Sequence, residues 1–144
     1  MKVPFDIDIV MGRVQEAVRP FPKAALFELA DEGYQTPFEQ LVACMISIRT
    51  LDEVTLPTAR RFFDCARTPL DVSQIPVEQI AALIRPATFY EAKARQILEI
   101  AHRAVADFSG IVPCEEGVLR SFPGVGPKCA NLVLAIACGQ PRIS

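Results

Sequence analysis

The chain has little of what many reaction centres are built from. Among its 144 residues there is one histidine, His102. No serine or cysteine motif accompanies it, so a histidine-assisted nucleophile is not encoded, and within a helical run it reads as a surface or interface residue with no role. The five cysteines, Cys44, Cys65, Cys114, Cys129 and Cys138, are odd in number and lack any C-x-x-C spacing. That speaks for buried reduced thiols, against a disulfide framework, and against a metal site or a cofactor held by this chain. Long apolar runs are absent too. The longest, Leu132 to Cys138, is far too short to cross a bilayer, and the opening MKVPFDID puts acids and a proline where a signal peptide needs a hydrophobic core. The expectation is a cytoplasmic protein with no membrane partner. Nor is there an excess of basic charge: 15 lysines and arginines face 17 aspartates and glutamates, a net charge of −2. Binding of a polyanion by bulk electrostatics is disfavoured, whereas binding through backbone amides and a helix terminus remains open.

No strand pattern, internal repeat or low-complexity linker interrupts what is present, a series of helices punctuated by prolines and caps. Half the residues are apolar, enough for one ordinary core. Ile7, Val10, Met11, Val14 and Val18 form an amphipathic stripe closed by Pro20 and Pro22. Thr36, Pro37 and Glu39 supply a cap, an N1 proline and a first-turn acid ahead of the buried face Phe38, Leu41, Val42, Met45 and Ile46. Thr50 with Glu53 gives a second capping-box pattern, after which Pro57 is expected to break or restart the helix before Ala59 to Cys65. Further helices are expected over 76–85 and 90–108. Asp52 and Glu53 read as first-turn acids rather than a catalytic carboxylate pair, and Lys93, three residues after Tyr90, as a solvated lysine or one that reaches a phosphate.

The most informative stretch is Phe122 to Asn131, FPGVGPKCAN. Gly124 and Gly126 are free to take positive φ and to let another backbone come close, and Val125 between them can point inward as an anchor. Pro127 pre-sets the first helical position, and Lys128 to Cys138 read as an apolar helix stopped by Gly139. With a short helix over 115–121, the unit is helix, hairpin, helix, its amides and positive dipole end facing an anion. Lys128 lies in the first turn. There the dipole and partial burial would disfavour the ammonium, and a neutral amine is a nucleophile; a phosphate-contacting or solvated lysine is the plainer alternative.

This string resembles the signature of the endonuclease III branch of the helix-hairpin-helix DNA glycosylases, Leu-Pro-Gly-Val-Gly-x-Lys-Thr/Cys-Ala-Asn. It matches through Pro123, Gly124, Val125, Gly126, Lys128, Ala130 and Asn131, with Phe122 in place of the leucine. Thr36 to Asp52 is similar to the family's first core helix and the DNA-facing loop after it, and Phe89 to Ala94 to the turn before the long central helix. The resemblance implies an all-α fold: a six-helix glycosylase domain over residues 21–144, and over 1–20 one helix of a second, cluster-type domain. Without that domain the stripe at 1–20 is expected to be loosely held or to self-associate. It further implies Lys128 as the catalytic nucleophile, Pro123 to Gly126 as the DNA-binding hairpin, and Arg49 and Phe89 as the side chains that wedge into the duplex or fill the gap. Phe89 stands where the family has an apolar wedge, and Arg49 where many members have glutamine.

Two family features fall outside this sequence. The family's Val-Asp-x-His segment, whose aspartate partners the lysine, would by this alignment begin just after Ser144, and the C-x6-C-x2-C-x5-C spacing that binds a [4Fe-4S] cluster is not found. The implied function of the complete protein is removal of oxidised pyrimidines from duplex DNA with abasic-site lyase activity. The alternatives are a non-catalytic DNA-binding module and an inactive truncated relic.

Overall fold

The computed structural model describes residues 24–140. Among them are eight helices and no strand: α1 (Ala24–Asp31), α2 (Pro37–Ser47), α3 (Asp52–Cys65), α4 (Pro69–Ser73), α5 (Val77–Leu83), α6 (Tyr90–Phe108), α7 (Glu116–Ser121) and α8 (Pro127–Ile136). The stripe at 7–18, with the N-terminal unit and the self-association expected of it, lies outside the described residues. None of the helices described is long and apolar enough to cross a membrane.

α2 is the hub. Every residue from Phe38 to Ser47 is buried, the condition of a helix enclosed on all sides, and α1, α3, α6 and α8 pack on it. Its start is fixed by a closed capping box: the Glu39 N–H donates to Thr36 Oγ1 at 3.1 Å and the Thr36 N–H to Glu39 Oε1 at 3.3 Å, with Pro37 in the first turn. The buried Glu39 carboxylate also accepts from Arg67 Nε at 2.6 Å, while the Arg67 guanidinium lies 4.7 Å from the centre of the Tyr34 ring. Gln40 Nε2 donates to Leu26 O and Tyr34 O, which ties α1 and the loop after it to the hub.

The structure departs from the sequence expectations at three elements. α3 runs unbroken through Pro57. The amide that proline lacks would have served Glu53, within the first turn, and the burial of Thr55, Thr58, Ala59, Phe62 and Phe63 offsets a cost of about 3 kcal/mol. The capping box expected at Thr50 and Glu53 does not form. Leu51 is the N-cap, with no side-chain bond, and the Thr50 hydroxyl turns to Ile48 O instead. Helices α1 and α4 bring the described count to eight rather than six. The second carries a start signal like that of α2, since Thr68 Oγ1 accepts the Asp71 N–H ahead of Pro69.

The cysteines also differ from the reduced, unpaired reading. Packing of α8 on α2 pairs Cys44 with Cys129, their Cα atoms 6.2 Å apart, and the end of α8 returns to the loop before α7 to pair Cys114 with Cys138, at 5.9 Å. Cys65 is left alone and exposed. With four thiols paired in two places, these residues do not fit the four-thiolate site that an iron–sulfur cluster requires.

Candidate nucleic-acid interface

Three loops carry the residues singled out from the sequence, and α6 underlies all of them. The first is the hairpin between α7 and α8. Phe122, in the leucine position, is buried edge-on to Phe108 of α6, with ring centres 6.4 Å apart, and under the guanidinium of Arg103. Arg103 Nη1 also donates to Ser121 O at 2.9 Å, so the base of the hairpin is fixed to α6 by packing and by hydrogen bonding. The Val125 N–H closes the turn onto Phe122 O at 3.2 Å, and its side chain is buried as the anchor role requires.

The two hairpin glycines serve different ends. Gly124 has φ +81°, and a Cβ there would lie 2.6 Å from Oε1 of Gln96 on α6; both conformation and packing demand glycine. Gly126 has φ −100° and ψ −175°, which any residue adopts, and a Cβ there would meet nothing within 4 Å. The expectation of positive φ at both positions therefore holds at Gly124 and fails at Gly126. Nothing inside the described chain demands a glycine at 126, while space for an outside group would.

Gly126 is the N-cap of α8 and offers no side-chain cap. Pro127 follows in the first turn and lacks an N–H, no acidic residue lies in that turn, and Gly124, Gly126, Pro127 and Lys128 are exposed. The helix thus presents its positive end and first-turn amides outward beside a lysine, a ready site for a phosphate. The partial burial expected of Lys128 is not found.

The other two loops carry Arg49 and Phe89. Three non-glycine residues among those described have positive φ: Arg49 and Phe89, both at 59°, and Ser109 at 57°. Ser109 caps the C-terminus of α6, where the left-handed conformation is common. Arg49, in the turn between α2 and α3, and Phe89, the N-cap of α6, have no such excuse, and each holds about 1–2 kcal/mol of backbone strain. Both point outward: Arg49 is exposed and Phe89 is 64% exposed, a large aromatic in water. The loops are joined, since the Thr88 N–H donates to Thr50 Oγ1 at 3.0 Å.

Lys93 corrects its sequence reading. It is neither solvated nor extended toward a phosphate but 5% exposed, its Nζ donating to Ile46 O at 3.0 Å and to Ile48 O. The signal was present in the spacing: Lys93, Ile97, Ile100 and Ala104 form the buried stripe of α6. Asp52 and Glu53 lie in the first turn of α3 as expected, and His102 is exposed.

The family described as HhH-GPD superfamily base excision DNA repair protein matches residues 42–138. The chain is 32% identical over 128 residues to an endonuclease III of Treponema pallidum (strain Nichols), covering 89% of this chain and 58% of that protein. To an endonuclease III of Thermotoga maritima it is 32% identical over 130 residues, covering 90% and 58%. Its fold superposes with a TM-score of 0.73 and 32% identity on a trapped endonuclease III–DNA covalent intermediate, covering 83% of this chain and 60% of that one. The chain spans less than two thirds of the length of these relatives.

Proposed function

The chain belongs to the HhH-GPD superfamily of base excision DNA repair proteins, and on that premise we propose that it excises oxidised pyrimidines from duplex DNA and cleaves the resulting abasic site. The observation that carries this reading is the exposed Lys128 in the first turn of an uncapped helix, directly behind the hairpin. The hairpin and the helix end would hold a backbone phosphate through amides, which accounts for a DNA partner without a basic surplus. Phe89 and Arg49 would occupy the space opened when the damaged nucleotide leaves the stack. Arg49 is longer than glutamine and carries donors suited to a guanine edge, so it would bear on the choice of opposite base.

In the chemistry, Lys128 Nζ attacks C1′ while the N-glycosidic electron pair leaves with the base. The departing base takes up the proton that the C1′-bound amine sheds, O4′ is protonated from solvent as the sugar ring opens, and the product is a Schiff base. Loss of a C2′ proton then expels the 3′ phosphate, breaking the strand on that side, and water releases the lysine. A relative seen as a covalent intermediate with DNA supports such a course. Borohydride reduces a Schiff base to a stable amine, so the protein should become covalently trapped on an abasic duplex, and Lys128→Ala should abolish the trapping. Equal trapping by that variant overturns the role of Lys128. Lesion-independent duplex binding with no covalent product would instead identify a non-catalytic DNA-binding module.

A further inference from the structure

One residue reaches both strained loops. The backbone N–H of Lys93 donates to the carbonyl of Phe89 at 3.1 Å. Its Nζ, buried four residues along the helix, donates to Ile48 O, immediately before Arg49, and lies 3.4 Å from Thr50 Oγ1, immediately after it; Ile46 O is a further acceptor at 3.0 Å. The same Thr50 oxygen accepts the Thr88 N–H, just ahead of Phe89. The residues flanking Arg49 are therefore held by the Lys93 side chain, which reaches the Phe89 side through Thr50 and the Thr88 amide, while the Phe89 carbonyl is held by the Lys93 main-chain amide, and the two tips are the positions forced into left-handed backbone while exposed.

We propose that Lys93 is a positioning residue that sets the separation and projection of Arg49 and Phe89, and so determines whether the two side chains enter a damaged duplex together. This rests on the DNA-repair reading above. A three-donor head group on a long stem suits the task, because it can bridge backbone acceptors on a turn that its own helix does not cover. An ordinary helix-capping role at the end of α2 would affect stability alone. A positioning role affects the distortion of bound DNA in protein that remains folded.

The test uses the intact protein and a duplex carrying a tetrahydrofuran abasic analogue next to 2-aminopurine, whose fluorescence rises when it is unstacked. Lys93→Met keeps the length and removes the donors. At saturating protein, and at a temperature where circular dichroism shows it folded, the fluorescence rise should fall about tenfold, while affinity for undamaged duplex through the hairpin changes by no more than about twofold. Thr50→Val should act in the same direction, with Thr50→Ser restoring the signal; this pair decides the matter if Lys93→Met does not fold. A normal rise with folded Lys93→Met, or equal behaviour of Thr50→Val and Thr50→Ser, overturns the proposal. A wild-type protein that gives no rise removes the DNA-repair reading and this inference together.

Discussion

Gly124 and Gly126 sit two residues apart in one motif, yet alanine should act on them in opposite ways. At position 124, φ of +81° forces an alanine into the left-handed region at about 1–2 kcal/mol. Its methyl would also meet the amide end of Gln96 at 2.6–3.0 Å. That end is the tip of a flexible, half-buried side chain, so the contact adds little if Gln96 swings away and about 1 kcal/mol or more if the hairpin holds it. The total is about 1–3 kcal/mol, or a fall in Tm of roughly 4–12 °C for a domain of this size. At position 126 the backbone is extended and the space is open, so alanine should be neutral, or stabilising by up to about 1 kcal/mol through the unfolded chain. Duplex affinity should respond the other way round in relation to stability. Gly126→Ala puts a methyl where a phosphate would approach the amides, and losing one charge-assisted contact costs about tenfold in Kd. Urea unfolding followed at 222 nm and fluorescence anisotropy with a labelled duplex measure the two quantities. A third variant separates the causes, since adding Gln96→Ala to Gly124→Ala should recover the contact portion and leave the conformational one. Equal destabilisation by the two glycine variants would refute the reasoning, as would a Gly126→Ala protein that binds duplex like the wild type.

Two further outcomes follow from the described geometry. Phe89→Gly relieves a left-handed residue whose ring is mostly in water, so it should raise unfolding stability by about 1 kcal/mol while lowering excision of an oxidised pyrimidine; a stability loss in urea titration would contradict the strain argument. The Arg60 hydrogen bond holds the Glu32 carboxyl below its ordinary range, joining α1 to α3. A lowered carboxylate pKa contributes stability above the unfolded value and loses it as pH falls through the folded one. Arg60→Met should therefore flatten the pH dependence of unfolding below about pH 4.3 and leave its slope near neutrality unchanged, which unfolding titrations across that range would reveal.

The hairpin and the long helix were legible because their signals are local. Phe122 to Lys128 spells out its own turn, anchor and helix start, and α6 fills the whole interval from Tyr90 to Phe108 between a turn and a glycine. What was not legible depended on tertiary partners. The Thr50–Glu53 spacing matches a capping box, but the Thr50 hydroxyl is claimed by Ile48 O and by Thr88, 38 residues away. Pro57 has the local chemistry of a breaker and is overruled by the buried face on which its helix lies. The cysteine pairs need two helices to meet, 85 residues apart in one case, and no C-x-x-C spacing announces that. Positive φ at Arg49 and Phe89 has no signature in residue type, since neither residue favours it.

That last point bears on function more than on folding. A loop under no demand other than connection would place glycine or asparagine at a left-handed position, and Gly33, Gly110, Gly124 and Gly139 show glycine used in that way elsewhere in this chain. Arginine and phenylalanine at two such positions, with both side chains turned to solvent, forgo that relief and gain no burial in return. Packing cannot account for the choice, and helix capping does not account for it either, because Phe89 caps α6 with no side-chain bond. What the conformation provides is direction: it turns each side chain away from its own helix, at sites that Lys93 and Thr50 tie together. The first two turns of α6 then act as a register bar, with Phe89 at the tip, Lys93 held to the opposing turn and Gln96 packed beneath the hairpin glycine. On the proposed reading, a chain with no surplus of positive charge would engage DNA on such terms, with backbone amides as donors and with Arg49 and Phe89 held in place before the duplex arrives.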